Sequence, residues 1–195
     1  MIDVQKKRNS RENILKEAAV LFKNKGYSGT SMRELAQHMG VEAAGLYNHI
    51  QNKAEILQEI CFSVAREFNS NIEELELRSC TCMEKLETLL KGHIRVIIQM
   101  QDQVAVANSE WKSLDLKSQT EYKRLRNLYE LKIREIVEEG IEDGEFKNIN
   151  SSIVMYTLLS SIRWIELWYK EERGISEAEL QNSVLSILMN GLNAR

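Results

Sequence analysis

The chain contains no proline and only nine glycines in 195 residues. Proline, the residue that breaks helices by its ring, is missing. So are the Gly/Pro-rich turns that a sheet protein needs roughly every ten residues. With Glu, Lys, Leu and Ile plentiful, these absences predict an all-α fold. Cysteine is sparse: Cys61, Cys80 and Cys82 cannot all pair within one chain, which fits a reducing compartment. No apolar run approaches the roughly 20 residues that span a bilayer. The N-terminal Met1-Ile2-Asp3-Val4-Gln5-Lys6-Lys7 is charged and lacks the apolar core of a signal peptide. A cytoplasmic protein is expected. Signals of catalysis are missing too, with no Gly-rich phosphate loop, nucleophile elbow or clustered carboxylate pair. His38, His49 and His93 are scattered, and Cys80-Thr81-Cys82 is shorter than a C-x₂-C spacing with no second pair after it. No catalytic residue, metal or cofactor is expected.

Charge is present, and unevenly placed. The net charge is −3, yet residues 1–53 carry nine Lys/Arg against five Asp/Glu, so the remainder is strongly acidic. A basic head on an acidic body is the pattern of a nucleic-acid-binding domain joined to one that binds something else. The boundary is expected near the start of a long helix, dividing the chain into 1–53 and 54–195.

Helical periodicity accounts for most of the chain. A first helix opens near Asn9-Ser10, repeats Ile14, Ala18, Leu21 and Phe22 on one face, and stops at Gly26. Thr30-Ser31 caps a second, which Gly40 ends, and a third spans about 42–49. Longer helices are predicted over about 53–77, 81–101, 104–112, 117–143, 150–171 and 176–193. Within Ser31–Ile50, Ala36, Gly40 and Leu46 fall at relative positions 0, +4 and +10. That spacing suits a helix-turn-helix: a small residue where two helices touch, one tolerant of positive φ in the turn, and an apolar residue closing the core.

Further motif blocks extend this pattern. Ala18-Ala19-Val20-Leu21-Phe22-Lys23-Asn24-Lys25-Gly26-Tyr27, then Thr30-Ser31-Met32-Arg33-Glu34-Leu35-Ala36, then Gly40-Val41, then Leu46-Tyr47-Asn48-His49-Ile50 with Lys53-Ala54-Glu55-Ile56-Leu57 resemble the N-terminal domain of TetR-family repressors. Ile50 stands where that family usually has Phe. The resemblance covers about residues 10–60. It implies an N-terminal three-helix DNA-binding domain and a C-terminal helical domain for ligand binding and dimerisation. It also implies that residues 43–49 form the recognition helix in the major groove. Thr30, Ser31, Tyr47, His49 and Lys53 are placed like the family's phosphate contacts. Ala43, Ala44 and Gly45 offer no hydrogen-bonding side chain, so Arg33 and Asn48 are the candidate base readers, for guanine and adenine.

In the body, the stretch at 150–171 carries two apolar faces. Val154, Leu158, Ile162, Ile165 and Trp168 form one; Ile153, Tyr156, Ser160, Trp164 and Leu167 form the other. A surface helix needs one, so the second predicts a partner. With Leu180, Val184, Ile187 and Leu188 of the last helix it is the candidate homodimer interface, which agrees with the four-helix interface of the resembled family. A two-fold axis matches a palindromic operator of two half-sites. Residues 110–192, with Gly140-x-x-x-Gly144-x-Phe146 and the pair Trp164 and Trp168, are similar to TetR-type regulators that sense acyl-CoA thioesters. Candidate ligand-binding residues are Phe68, Ile97, Met100, Trp111, Leu125, Tyr129 and Trp164. Arg66, Arg95, Arg124 and Arg126 are available for phosphates. A regulator of efflux or stress genes with another aromatic or hydrophobic effector fits the same residues. An enzyme carrying a helix-turn-helix-like corner would instead turn over a substrate, and a non-specific nucleic-acid binder would show no operator preference.

Overall fold

The computed structural model describes residues 11–75 and 80–192. The basic Lys6, Lys7 and Arg8 and the expected cap at Asn9-Ser10 lie outside the described residues. Among the described residues the regular elements are all helical: α1 (Arg11–Lys25), α2 (Met32–Met39), α3 (Ala43–Tyr47), α4 (Lys53–Leu75), α5 (Cys82–Gln99), α6 (Gln101–Glu110), α7 (Leu116–Glu142), α8 (Ser151–Arg163), α9 (Ile165–Trp168) and α10 (Glu177–Asn190). Short 3₁₀ turns at Trp111–Ser113 and Glu171–Arg173 complete the order. None of these helices is long and apolar enough to cross a membrane.

The described residues fall into two compact units, 11–65 with 100–123, and 66–75 and 80–99 with 124–192. The division expected at residue 53 follows the DNA-binding motif; the compact unit reaches further because α6 lies along α1 and buries Val104, Val106 and Ala107. In this first unit α1 buries Ile14, Ala18, Ala19, Leu21 and Phe22, four of which carried the sequence periodicity. Its stop is Gly26 at φ +79, with its amide donating to the Phe22 carbonyl. Ser31 caps α2 reciprocally: its hydroxyl accepts from the Glu34 amide, and the Glu34 carboxylate accepts from the Ser31 amide. Gly40, at φ +65, ends α2 in the left-handed conformation that a side chain would strain. The turn directs α3 so that Leu46 and then Ile50 reach the core fully buried.

In the second unit α5 supplies Leu86, Leu89, Leu90, Ile94, Val96 and Ile97 to the core and packs against α9 and α10. The Gly140-x-x-x-Gly144-x-Phe146 stretch has a steric reason. A Cβ at Gly140 would lie 2.4 Å from the Phe146 ring and 3.0 Å from the Cys82 Cβ, so the bare glycine lets the turn fold its phenyl ring back onto α7. The Phe146 amide donates to the Gly140 carbonyl, closing that turn.

Two boundaries differ from the sequence expectation. The break placed near Asp102 falls at Met100, and α6 then runs from Gln101. The helix expected over 150–171 ends at Arg163, turns through Trp164 and resumes as the single turn of α9. No glycine or proline stands at that break, so the apolar periodicity runs straight through it. Tyr169 is already extended, its hydroxyl donating to the Ile175 carbonyl.

Candidate nucleic-acid interface and effector site

On the helix-turn-helix, Tyr47 is 54% exposed, a high value for an aromatic ring. Arg33, Ala44, Asn48 and His49 are exposed or half-buried, as are Ala43 and Gly45. The Glu42–His49 segment thus shows the solvent a carboxylate at its start and a phenol, an amide and an imidazole at its end, with a bare surface around Ala43, Ala44 and Gly45 between them. Such a surface can lie close against another molecule, and polar groups flank it on both sides.

Three of the expected phosphate contacts also make bonds within the protein. Thr30 is buried (3% exposed), and its hydroxyl donates to the Gly26 carbonyl at 3.0 Å. Ser31 is exposed but holds Glu34 in the capping box. Lys53 donates to the carbonyls of Tyr27 at 2.8 Å and Thr30 at 2.7 Å, and its ammonium stands 4.3 Å above the Tyr27 ring. Thr30 and Lys53 tie the turn between α1 and α2, and Ser31 caps α2.

Arg11 was not legible as part of this site. Its guanidinium bridges Glu55 and Glu59 on α4 and donates to the His49 carbonyl at the end of the α3 segment. The Glu59 and Glu55 hydrogen bonds push the Arg11 pKa still higher. The Gln51 amide, then Arg11, hold Glu55 below the usual carboxylate range. Glu55 and Glu59 lie one turn apart on α4, a signal visible in the sequence, but their partner is more than forty residues away.

The candidate effector residues fall in both units. In the second, Phe68 stacks on His93 with ring centroids 4.3 Å apart, and His93 Nδ1 is hydrogen-bonded to the Tyr129 hydroxyl at 2.9 Å. Ile97 is buried, and Leu125 is half-buried with its carbonyl accepting from Asn69. Trp164, assigned both to ligand and to the dimer face, is 62% exposed. In the first unit, Met100 immediately precedes α6, and Trp111 lies beside Tyr122 with the Lys123 ammonium 5.2 Å from its ring centre. Of the cations, Arg95 pairs with Glu177 and Arg126 with Glu130.

Burial pushes the His93 pKa down to about 3 and the Tyr129 pKa up, so both groups are neutral near pH 7. An unfolded imidazole titrates near 6.5. His93 therefore costs no stability above that value, and stability is lost as pH falls from about 6.5 toward 3, where only the unfolded chain takes the proton. Urea unfolding at pH 7.5 and 4.5 is expected to show this loss, and His93→Phe to reduce it. An undiminished slope in the variant would assign the acid sensitivity elsewhere.

Among the described residues, Cys82, Asp143 and Glu145 bring potential ligand atoms within 4.8 Å of one another. The Glu145 carboxylate is engaged by the Cys82 and Met83 amides at the start of α5, and burial, with the charge of Glu139, raises the Cys82 thiol to about 11. Glu145 thus caps the start of α5.

On the apolar face of α8 and α9, Ile153, Tyr156, Trp164 and Leu167 are 56–62% exposed, while Val154, Leu158, Ile162 and Ile165 turn inward. Ser160, on the outer face, is not buried. On α10, Ile187 is 76% exposed and Val184 and Leu188 are half-buried. Leu180, expected on the same outer face, is only 3% exposed and belongs to the unit's own core.

Comparison with known proteins agrees with this geometry. Residues 14–60 match the profile described as "Bacterial regulatory proteins, tetR family", and residues 79–192 match "Tetracyclin repressor-like, C-terminal domain". The HTH-type transcriptional repressor KstR2 of Mycolicibacterium smegmatis is 24% identical over 184 residues, covering 93% of this chain and 90% of the relative. The crystal structure of the TetR family regulator PfmR from Thermus thermophilus superposes with a TM-score of 0.81 at 28% identity, over 91% of this chain and 97% of that one. AibR, solved in complex with isovaleryl coenzyme A and operator DNA, shares the fold at a TM-score of 0.78 and 22% identity, over 91% and 96%.

Proposed function

Because this chain belongs to the TetR family of bacterial regulatory proteins, DNA-binding regulators and not enzymes, we propose that it is a dimeric, ligand-responsive repressor of transcription. The dimer binds a palindromic operator and is released by a small apolar effector, of which an acyl-CoA thioester is the first candidate. The observation that carries this reading is the exposed Tyr47–His49 end of a helix-turn-helix closed by Gly40 and Leu46, together with a second exposed apolar face on α8 and α9. The first supplies the contact with DNA and the second a way to pair two heads.

AibR binds isovaleryl coenzyme A and operator DNA, which supports an acyl thioester for a chain of the same fold. The effector must bind the form that does not fit DNA more tightly than the form that does, since equal affinity would shift nothing. Thermal-shift screening of acyl-CoAs from isovaleryl to long-chain, with operator release as the second readout, tests the assignment. Stabilisation by one chain-length class together with release supports it. No stabilisation by any acyl-CoA removes this effector and leaves another hydrophobic ligand.

The head residues separate by role. Tyr47→Ala is expected to weaken operator and random DNA to the same extent, because phosphate contacts position without reading. Arg33→Ala is expected to weaken the operator about tenfold and random DNA little, since a guanine contact discriminates by about 1–3 kcal/mol. Gel shifts with both DNAs distinguish the two, and the reverse pattern would exchange the assignments.

A further inference from the structure

The turn from Gly26 to Thr30, which delivers the chain to the first helix of the reading motif, is held from three sides. Within it, the Thr30 hydroxyl donates to the Gly26 carbonyl and the Thr30 amide to the Tyr27 carbonyl. From α4, Lys53 donates to the carbonyls of Tyr27 and Thr30 and lies over the Tyr27 ring. From α6, the Glu110 carboxylate accepts the Tyr27 amide at 3.1 Å, with the Ser113 hydroxyl 3.4 Å from its other oxygen. Phe22 of α1 meets the Tyr27 ring edge-on at 5.3 Å.

Tyr27 is therefore clamped between opposite charges: a carboxylate on its N–H and an ammonium on its C=O. Both bonds are charge-assisted, the stronger class of hydrogen bond. Both serve peptide groups that lie outside any helix; the carbonyl also accepts the Thr30 amide, whereas Glu110 is the acceptor for the Tyr27 N–H. The next capping residue is Ser31, so the position of this turn sets the position of the α2 N-terminus. Lys53 belongs to the motif recognised from sequence; Glu110 does not. It stands on α6, 83 residues beyond Tyr27 in the chain.

We infer that Glu110 is a positioning residue of the DNA-reading head, holding the Tyr27 peptide so that α2 and α3 meet the operator in the correct register. The inference rests on the repressor reading, because it gives the head an operator to meet. Asp102, near the other end of α6, pairs with Lys23 at 2.8 Å, but this pair is partly exposed and serves as the control.

The test uses the full chain and operator DNA recovered by selection from genomic fragments, with Glu110→Ala, Glu110→Gln and Asp102→Ala. Glu110→Ala is expected to weaken operator binding about tenfold, the scale of a lost hydrogen bond to a charged group. The salt slope is expected to stay as in the parent, because no phosphate contact is removed. In the DNA-free protein, hydrogen exchange over 27–35 is expected to accelerate while the melting temperature moves little. Glu110→Gln keeps an acceptor oxygen and is expected to recover part of the affinity, with Asp102→Ala within about twofold of the parent. Parent-like affinity and exchange in Glu110→Ala would overturn the inference. So would an equal loss in both Glu110 variants that tracks a fall in melting temperature, since that is general destabilisation. Failure to recover any operator would count against the repressor reading, and the exchange measurement would still decide whether Glu110 holds the turn.

Discussion

A Trp164→Glu, Leu167→Glu variant is expected to run as a monomer and to bind operator at least about a hundredfold more weakly than the parent. Both side chains are more than half exposed, on the face that also presents Ile153 and Tyr156. The opposite face of the same segment is already committed to the core through Val154, Leu158, Ile162 and Ile165. An exposed face with an indole, a phenol and two aliphatic chains is costly to leave in water, and buried aromatic anchors carry a large share of interface energy. Carboxylates at two of these positions would have to be desolvated without partners, which opposes association by several kcal/mol in total. Loss of pairing propagates to DNA because a second linked head binds at high effective concentration, and a monomer has no second head. Light scattering after size exclusion, with gel shifts on the same preparations, measures both consequences. A variant that remains dimeric would move the interface elsewhere.

Leu46→Ala is expected to abolish operator binding while leaving the dimer and the second unit folded. α3 has only five residues, too few to be stable as an isolated helix, and no side-chain cap bond at Glu42 supports it. Its fully buried side chain is Leu46, with Ile50 following just beyond the helix. Truncating a buried leucine costs about 2–5 kcal/mol, part of it for the cavity left behind. On so short an element, that is enough to detach α3 from the head. Dimer mass and second-unit hydrogen exchange are expected to match the parent, with protection lost over 43–50. Operator binding within a few-fold of the parent would mean that α3 is held by something other than its leucine.

The helices were legible where local chemistry decides them. Gly26, Gly40, Gly144 and Gly174 all adopt positive φ at breaks that glycine marks in the sequence, and the Ser31–Glu34 capping box follows directly from residue spacing. The break at Trp164 was not legible, because no residue there differs in kind from its neighbours. Which way a side chain faces was harder still. Thr30 and Lys53 carry the groups a phosphate contact needs, and those same groups suit the carbonyls of a turn; that they bond the turn follows from burial and distance and has no mark in the sequence. Leu180 fits the periodicity of α10 whether it faces a partner or its own core, and packing places it inward. Arg11 and Glu110 act through partners far away in sequence, so no local pattern marks them. The candidate effector residues share aromatic and aliphatic character with any helical core, and only three dimensions bring Phe68, His93 and Tyr129 together.

Sequence-selective binding of DNA by a pair of these heads is tested most directly by sequencing the genomic fragments that the purified full-length protein retains at near-physiological salt. Enrichment of a short inverted repeat is expected, with half-sites about one helical turn apart, bound by an even number of protomers. Uniform retention of all fragments, declining steeply with salt and without an enriched sequence, would contradict it.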